Sequence, residues 1–267
     1  EMIAPWLLVM SPAAIANRIS TDIPDLIGSM RNFPERHQSL NTVFEHSWSL
    51  LAPAEQRVFR RLAVIVGNIS LPAAEAIAGA SEPTLRSLAH KSMLNKPDND
   101  TYTLHSLLRA FALQKLQEAD ELQEAQSAHF DYFSRFVAFQ KAQLLGAGQL
   151  LALEKLEEAF DNLRAAWRNG VEHAAADQLL PLMDGIYDLC ITRSWYAAGI
   201  DMSGVGKEPL KRRGMRGLAG RLLLNEALMH HHLGNYDQSR LCIEEGQILC
   251  EQEEDVRGIA KAIFLSA

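Results

Sequence analysis

Apolar residues recur three and four positions apart along nearly the whole chain, the spacing that lays one side of an α-helix against a core. Ser11-Pro12 supplies a cap and a first-turn proline ahead of Ala13, Ile15, Ala16 and Ile19, and predicts a helix there. After the break at Phe33-Pro34 the stripe resumes with Leu40, Val43, Phe44, Trp48 and Leu51. Pro53 and Glu55 suit a helix first turn and precede Val58, Phe59, Leu62 and Ile65 on one face. Ser70 and Pro72 open a further helix that Gly79 closes, and Pro83 opens another that runs to about Lys91.

The pattern changes once. Residues 92–96 and 101–104, the latter with Tyr102 and Thr103, flank Pro97-Asp98-Asn99-Asp100 and predict a β-hairpin. A helix over residues 105–118, with Leu108, Phe111, Ala112 and Leu116 inward, follows it. Short helices followed by a hairpin predict a winged-helix domain over residues 39–118. Residues 1–38 read as helix, cap and helix, and this segment cannot fold alone.

Beyond residue 119 only helical spacing appears, over residues 121–141, 150–170 and 174–190 and again further on. Leu153, Leu156, Phe160, Leu163 and Trp167 form one continuous stripe. Near the end, Leu223, Ala227, Gly234, Tyr236, Ser239, Ile243 and Gly246 follow the large, small, Gly, Tyr, small, large, small order of a tetratricopeptide repeat, a unit of about 34 residues. Residues 256–265 would begin the next unit. The predicted fold class is therefore mainly α: a winged-helix domain with a small β-hairpin over 39–118, then an α-helical tetratricopeptide-like superhelix over 119–267.

Charge narrows the partners. Residues 53–118 carry eight Lys/Arg against six Asp/Glu, and residues 119–267 carry fifteen against twenty-two, so neither part is a dedicated polyanion binder. Cys190, Cys242 and Cys250 are odd in number and share no Cys-x-x-Cys spacing, which argues against a disulfide framework or a zinc site and for a cytoplasmic setting, and no metal ligand is expected. No apolar run approaches the roughly 20 residues that span a bilayer, and no basic segment precedes the run 3–10 as in a signal peptide. The first residue is not Met and the last residues are apolar, as expected of a piece of a longer protein.

A family resemblance rests on several runs in order: His46-Ser47-Trp48, LAPAEQRVFRRL from 51, AAEAIAGAS from 73, SLAHKSML from 87, YTLHSLLRAFALQKL from 102 and LEKLEEAFDNLRAAW from 153. Together these resemble the winged-helix region, and the lead-in to the repeats, of STAND-class signalling NTPases, and residues 1–38 resemble the end of the helical domain that precedes them in that family. The resemblance implies an upstream nucleotide domain binding ADP or ATP with magnesium, an inducer or partner protein at the repeats, and self-assembly on activation. It also implies that His105, in Leu104-His105-Ser106, reaches the ADP phosphate in the off state, with Ser106 standing where the family has an acid. No G-x-x-x-x-G-K-[ST] run exists in these 267 residues, so no enzymatic activity is expected of the chain alone.

Other candidates carry plainer readings. A histidine between a hairpin and a helix can simply satisfy local backbone groups. Arg86, His90 and Lys91 would face DNA phosphates if the fourth helix entered a major groove, although three scattered cations make a weak footprint. Consecutive helical residues point about 100° apart, so His230-His231-His232 cannot converge on one ion. Lys211-Arg212-Arg213 reads as a solvated turn, Glu157, Glu158 and Asp161 as a solvated helix face, and Trp195 and Tyr196 as core. The two rival functions are a DNA-binding regulator with a repeat sensor, and a protein-interaction scaffold.

Overall fold

A computed structural model describes residues 44–97, 101–144 and 148–266; the readings placed on residues 1–38, on Leu40 and Val43 and on Asp98, Asn99 and Asp100 lie outside them. The chain is mainly α-helical and divides into two units. The first takes in residues 44–64 and 68–122; the second takes in Ile65–Gly67 and everything described from Gln123 onward.

In the first unit a helical segment at 44–49 is followed by α1 (Pro53–Leu62), β1 (Asn68–Ser70), α2 (Leu71–Ala78), α3 (Glu82–His90), β2 (Thr101–Thr103) and α4 (Ser106–Glu118). Caps set these boundaries. The Glu55 carboxylate accepts the Ala52 N–H at 2.8 Å, Ser70 Oγ accepts from Ala73, and Ser81 Oγ accepts from Thr84, while Pro53, Pro72 and Pro83 stand in first turns. Gly79, at φ +65°, ends α2 in the left-handed region, where a side chain would be strained.

The sheet departs from the expected hairpin. Its two strands are β1 and β2, antiparallel, with Ile69 opposite Tyr102, whereas the predicted first arm contributes only a bridge from Asn95 to Thr103. At three residues, β1 is too short to display a period of two, and it runs directly into the Ser70 cap that the helix pattern emphasises. Ile69 and Tyr102 are buried with Phe59, Leu62, Ile77, Leu85, Leu88, Phe111 and Leu116. The Trp48 ring lies 6.1 Å from both Phe59 and Phe111. Each such side chain contributes about 1.5–3 kcal/mol when fully removed from water.

The second unit comprises α5 (Leu122–Gln143) from that helix's second residue on, then α6 (Gln149–Glu158), α7 (Phe160–His173), α8 (Ala176–Thr192), α9 (Tyr196–Arg212), α10 (Arg216–His232), α11 (Tyr236–Gln252) and α12 (Val256–Ser266). The single helix expected over 150–170 is two, separated at Ala159; of the predicted stripe Leu153, Leu156, Leu163 and Trp167 are buried and Phe160 is half-buried. From α8 onward each helix starts 20 residues after the last, and α8 to α11 each hold 17 residues. The turns share one geometry: Ser194, Gly214, Gly234 and Glu254 have positive φ, and the next amide bonds back to the carbonyl five residues earlier. The two-helix unit is therefore 40 residues long, longer than the expected tetratricopeptide unit, because its helices are longer.

Close approach holds α10 against α11. A methyl group on Gly220 would lie 2.8 Å from the Gly246 carbonyl and 2.6 Å from Cys250 Sγ. Trp167 fits beside Gly206, and its indole donates to the Met202 carbonyl at 2.9 Å. No helix among the described residues is long and apolar enough to cross a membrane.

Candidate functional site

His105 follows β2 and is the N-cap of α4. Its Nδ1 accepts the Leu107 N–H at 3.3 Å, so the ring does satisfy a local backbone group. That bond fixes the neutral tautomer with the proton on Nε2, and the residue is exposed. The result is one outward N–H donor set beside the first amides of a 13-residue helix, an arrangement suited to an anionic oxygen. Ser106, also exposed, is the first helical residue.

The second candidate set lies on α3, which follows α2 after the short turn at Gly79, Ala80 and Ser81. Arg86, His90 and Lys91 are all exposed, and with Asn95 and Lys96 the first two border a shallow surface concavity. Both Arg86 and Lys91 are already engaged. Arg86 pairs with Glu82 one turn before it, and Lys91 pairs with Glu55 at 2.6 Å. Glu55 also accepts from Ser87 Oγ at 2.6 Å. The Lys91 ammonium and the Ser87 hydroxyl hold its carboxyl down at about 2.

In the second unit the three consecutive histidines diverge, as helix geometry requires. His230 Nε2 is 3.7 Å from Glu226 Oε1, His231 lies edge-on to Tyr236, and His232 stacks on Tyr196 at 4.8 Å. Lys211, Arg212 and Arg213 do not form the solvated turn expected of them. Lys211 and Arg212 end α9 and pair with Glu245 and Glu172, and Arg213 donates to the carbonyls of Val171 and Ala174 at the end of α7. Glu157 pairs with Arg193, whereas Glu158 and Asp161 are exposed. Trp195 and Tyr196 are half-buried rather than core. Sequence reasoning passed over Glu226 and read Cys242 against a zinc site, whereas the fold brings both together with His230. Only the four-residue spacing of Glu226 and His230 signals half of that group in the sequence.

No family model matches the chain. It is 30% identical over 210 residues, 75% of its length, to proteins provisionally named HTH-type transcriptional regulators in Mycobacterium tuberculosis and Mycobacterium bovis. The chain spans 24% of the length of those relatives. Among solved structures it is similar to a Signal Transduction ATPase with Numerous Domains (STAND) protein with a tetratricopeptide repeat sensor from Pyrococcus horikoshii. That likeness has a TM-score of 0.40 at 14% identity, covering 85% of this chain and 36% of the other. Over three quarters of its length, this chain is similar to one segment of mycobacterial proteins named as transcriptional regulators.

Proposed function

We propose that the chain is the regulatory and sensor region of a larger transcription-regulating ATPase. In this reading the first unit is a winged helix that contacts an upstream domain holding ADP or ATP with magnesium. The helical repeats bind an inducer or partner protein. The similarity to a segment of the mycobacterial regulators carries the regulator reading. The outward Nε2–H of His105 supports the nucleotide part: a donor fixed at a helix N-terminus matches a phosphate oxygen in charge and direction.

A hydrogen bond to a charged group contributes about 1.5–3 kcal/mol, enough to shift a two-state equilibrium by about 10- to 100-fold. Inducer binding would favour the arrangement in which His105 leaves the phosphate, freeing nucleotide exchange and self-assembly. Mass spectrometry of nucleotide released from the longer protein tests this reading. Co-purified ADP is expected; a nucleotide-free protein that regulates normally would contradict it.

The DNA-contact reading draws on one observation, the exposure of Arg86, His90 and Lys91 on a helix that follows another across a short turn. The ion pairs to Glu82 and Glu55 oppose it, because phosphates would have to displace both carboxylates. Titrating the chain with labelled duplex at two salt concentrations separates the readings: tight, steeply salt-dependent binding would favour DNA contact.

A further inference from the structure

The contact between α10 and α11 contains a polar group that the packing there does not explain. Glu226 is 6% exposed, and its Oε2 is buried without a hydrogen-bond partner. A buried carboxylate oxygen left alone is costly, so it calls for a partner that the protein atoms around it do not supply. Its other oxygen has Lys207 Nζ and His230 Nε2 each at 3.7 Å, the long end of ion-pair range.

Two further ligand-type atoms face the same point. A carboxylate oxygen of Glu226, an imidazole nitrogen of His230 and Cys242 Sγ lie within 4.8 Å of one another. Glu226 and His230 stand one turn apart on α10, and Cys242, 8% exposed, projects from α11. Neither His231 nor His232 takes part, since their rings pack on Tyr236 and Tyr196.

We propose that Glu226, His230 and Cys242 form a binding site for a divalent transition metal of the zinc class. Thiolate, imidazole and carboxylate together are the donor set that such an ion takes and that magnesium or calcium does not. Ligand atoms around a tetrahedral zinc ion are about 3.4 Å apart, so closing the site requires movements of about 1 Å, within the reach of side-chain torsions. The metal would displace the thiol proton of Cys242 to the buffer and give the lone Glu226 oxygen its partner. Asn235 Nδ2 lies 3.5 Å from His230 Nδ1. Turning that amide over would let its oxygen accept from Nδ1–H and present Nε2 to the ion. Three protein ligands leave a fourth position for water or a donor from a bound partner, and the ion would tie α10 to α11. The proposal does not rest on the nucleotide reading.

The test uses the 267-residue chain, reduced and metal-free, titrated with zinc by equilibrium dialysis and with cobalt by absorption spectroscopy. One equivalent should bind, the cobalt form should show a thiolate charge-transfer band, and zinc should raise the melting temperature. Cys242→Ser should abolish the band and weaken zinc binding by more than about 100-fold. His231→Gln and His232→Gln should leave both unchanged. Should Cys242→Ser lose its helical circular dichroism, the isosteric Glu226→Gln provides the same comparison of affinity. Absence of saturable binding would overturn the proposal. So would binding that survives loss of Cys242 or Glu226, or that depends on His231 and His232.

Discussion

The two units are specified by different kinds of residue. The first consists of short, unequal helices whose ends are written into single side chains: Ser70, Ser81, Gly79, the three first-turn prolines and His105. The second repeats one helix length and one turn geometry, and its specificity lies where helices touch, at Gly206, Gly220 and Gly246. Capped helices tolerate modest changes in their neighbours, because each end is satisfied locally. Helices packed at glycine distance do not, because an added atom meets the Trp167 and Leu222 side chains at Gly206 and backbone at Gly220 and Gly246. The first unit should therefore lose stability in small local steps and the second in large ones.

Substitutions can sharpen or break that contrast. Trp167→Ala should have the largest effect, about 3–5 kcal/mol by urea denaturation, since the ring is fully buried beside Gly206 and its hydrogen bond to Met202 is lost as well. Gly220→Ala should follow at about 1–3 kcal/mol, because the new methyl group meets the Gly246 carbonyl and Cys250. A neutral result there would mean that α10 and α11 are less closely packed than the structure has them.

In the first unit Ser70→Ala should cost about 1 kcal/mol, the typical value of a lost N-cap. Glu55→Gln should cost about 1 kcal/mol at neutral pH and change the acid limb. The carboxyl of Glu55 sits near 2 in the folded chain, below its unfolded value of about 4.3, so its contribution is complete above the unfolded value. It disappears as pH falls toward 2, and the gap between wild type and Glu55→Gln should close over that interval. A gap that stays constant down to pH 2 would show that Lys91 and Ser87 do not hold the charge.

The same division explains what the sequence disclosed. Helix starts in the first unit were legible because serine, proline and glycine act on their own few neighbours. β1 was not, since three residues that run into a cap leave no alternation to read. In the second unit the small positions Ala227, Ser239 and Gly246 were recognisable, and Ser239 Oγ does donate to the Ala227 carbonyl at 2.9 Å across the helix pair. The 40-residue unit was not recognised, because two of the four turns between α8 and α12 carry Ser194 and Glu254 where Gly214 and Gly234 mark the others. The convergence of Cys242 on Glu226 and His230 is a tertiary event between two helices, invisible in spacing along the chain. For His105, the sequence offered both a capping and a sensing reading; the structure shows the cap, with Nδ1 accepting from Leu107, and the sensing reading belongs to the proposed function.

The proposed sensing role makes His105 the residue on which the proposed function is most directly tested. Asparagine is a good N-cap and can replace the bond to the Leu107 amide, but it has no donor where Nε2 stands. ADP retained by the longer protein should be measured in the wild type, in His105→Asn and in His105→Ala, with stability followed in parallel. The account predicts that His105→Asn keeps its stability and loses ADP by about 10-fold or more, matching His105→Ala in nucleotide but not in stability. ADP retention by His105→Asn at the wild-type level would contradict it and leave the histidine a cap alone.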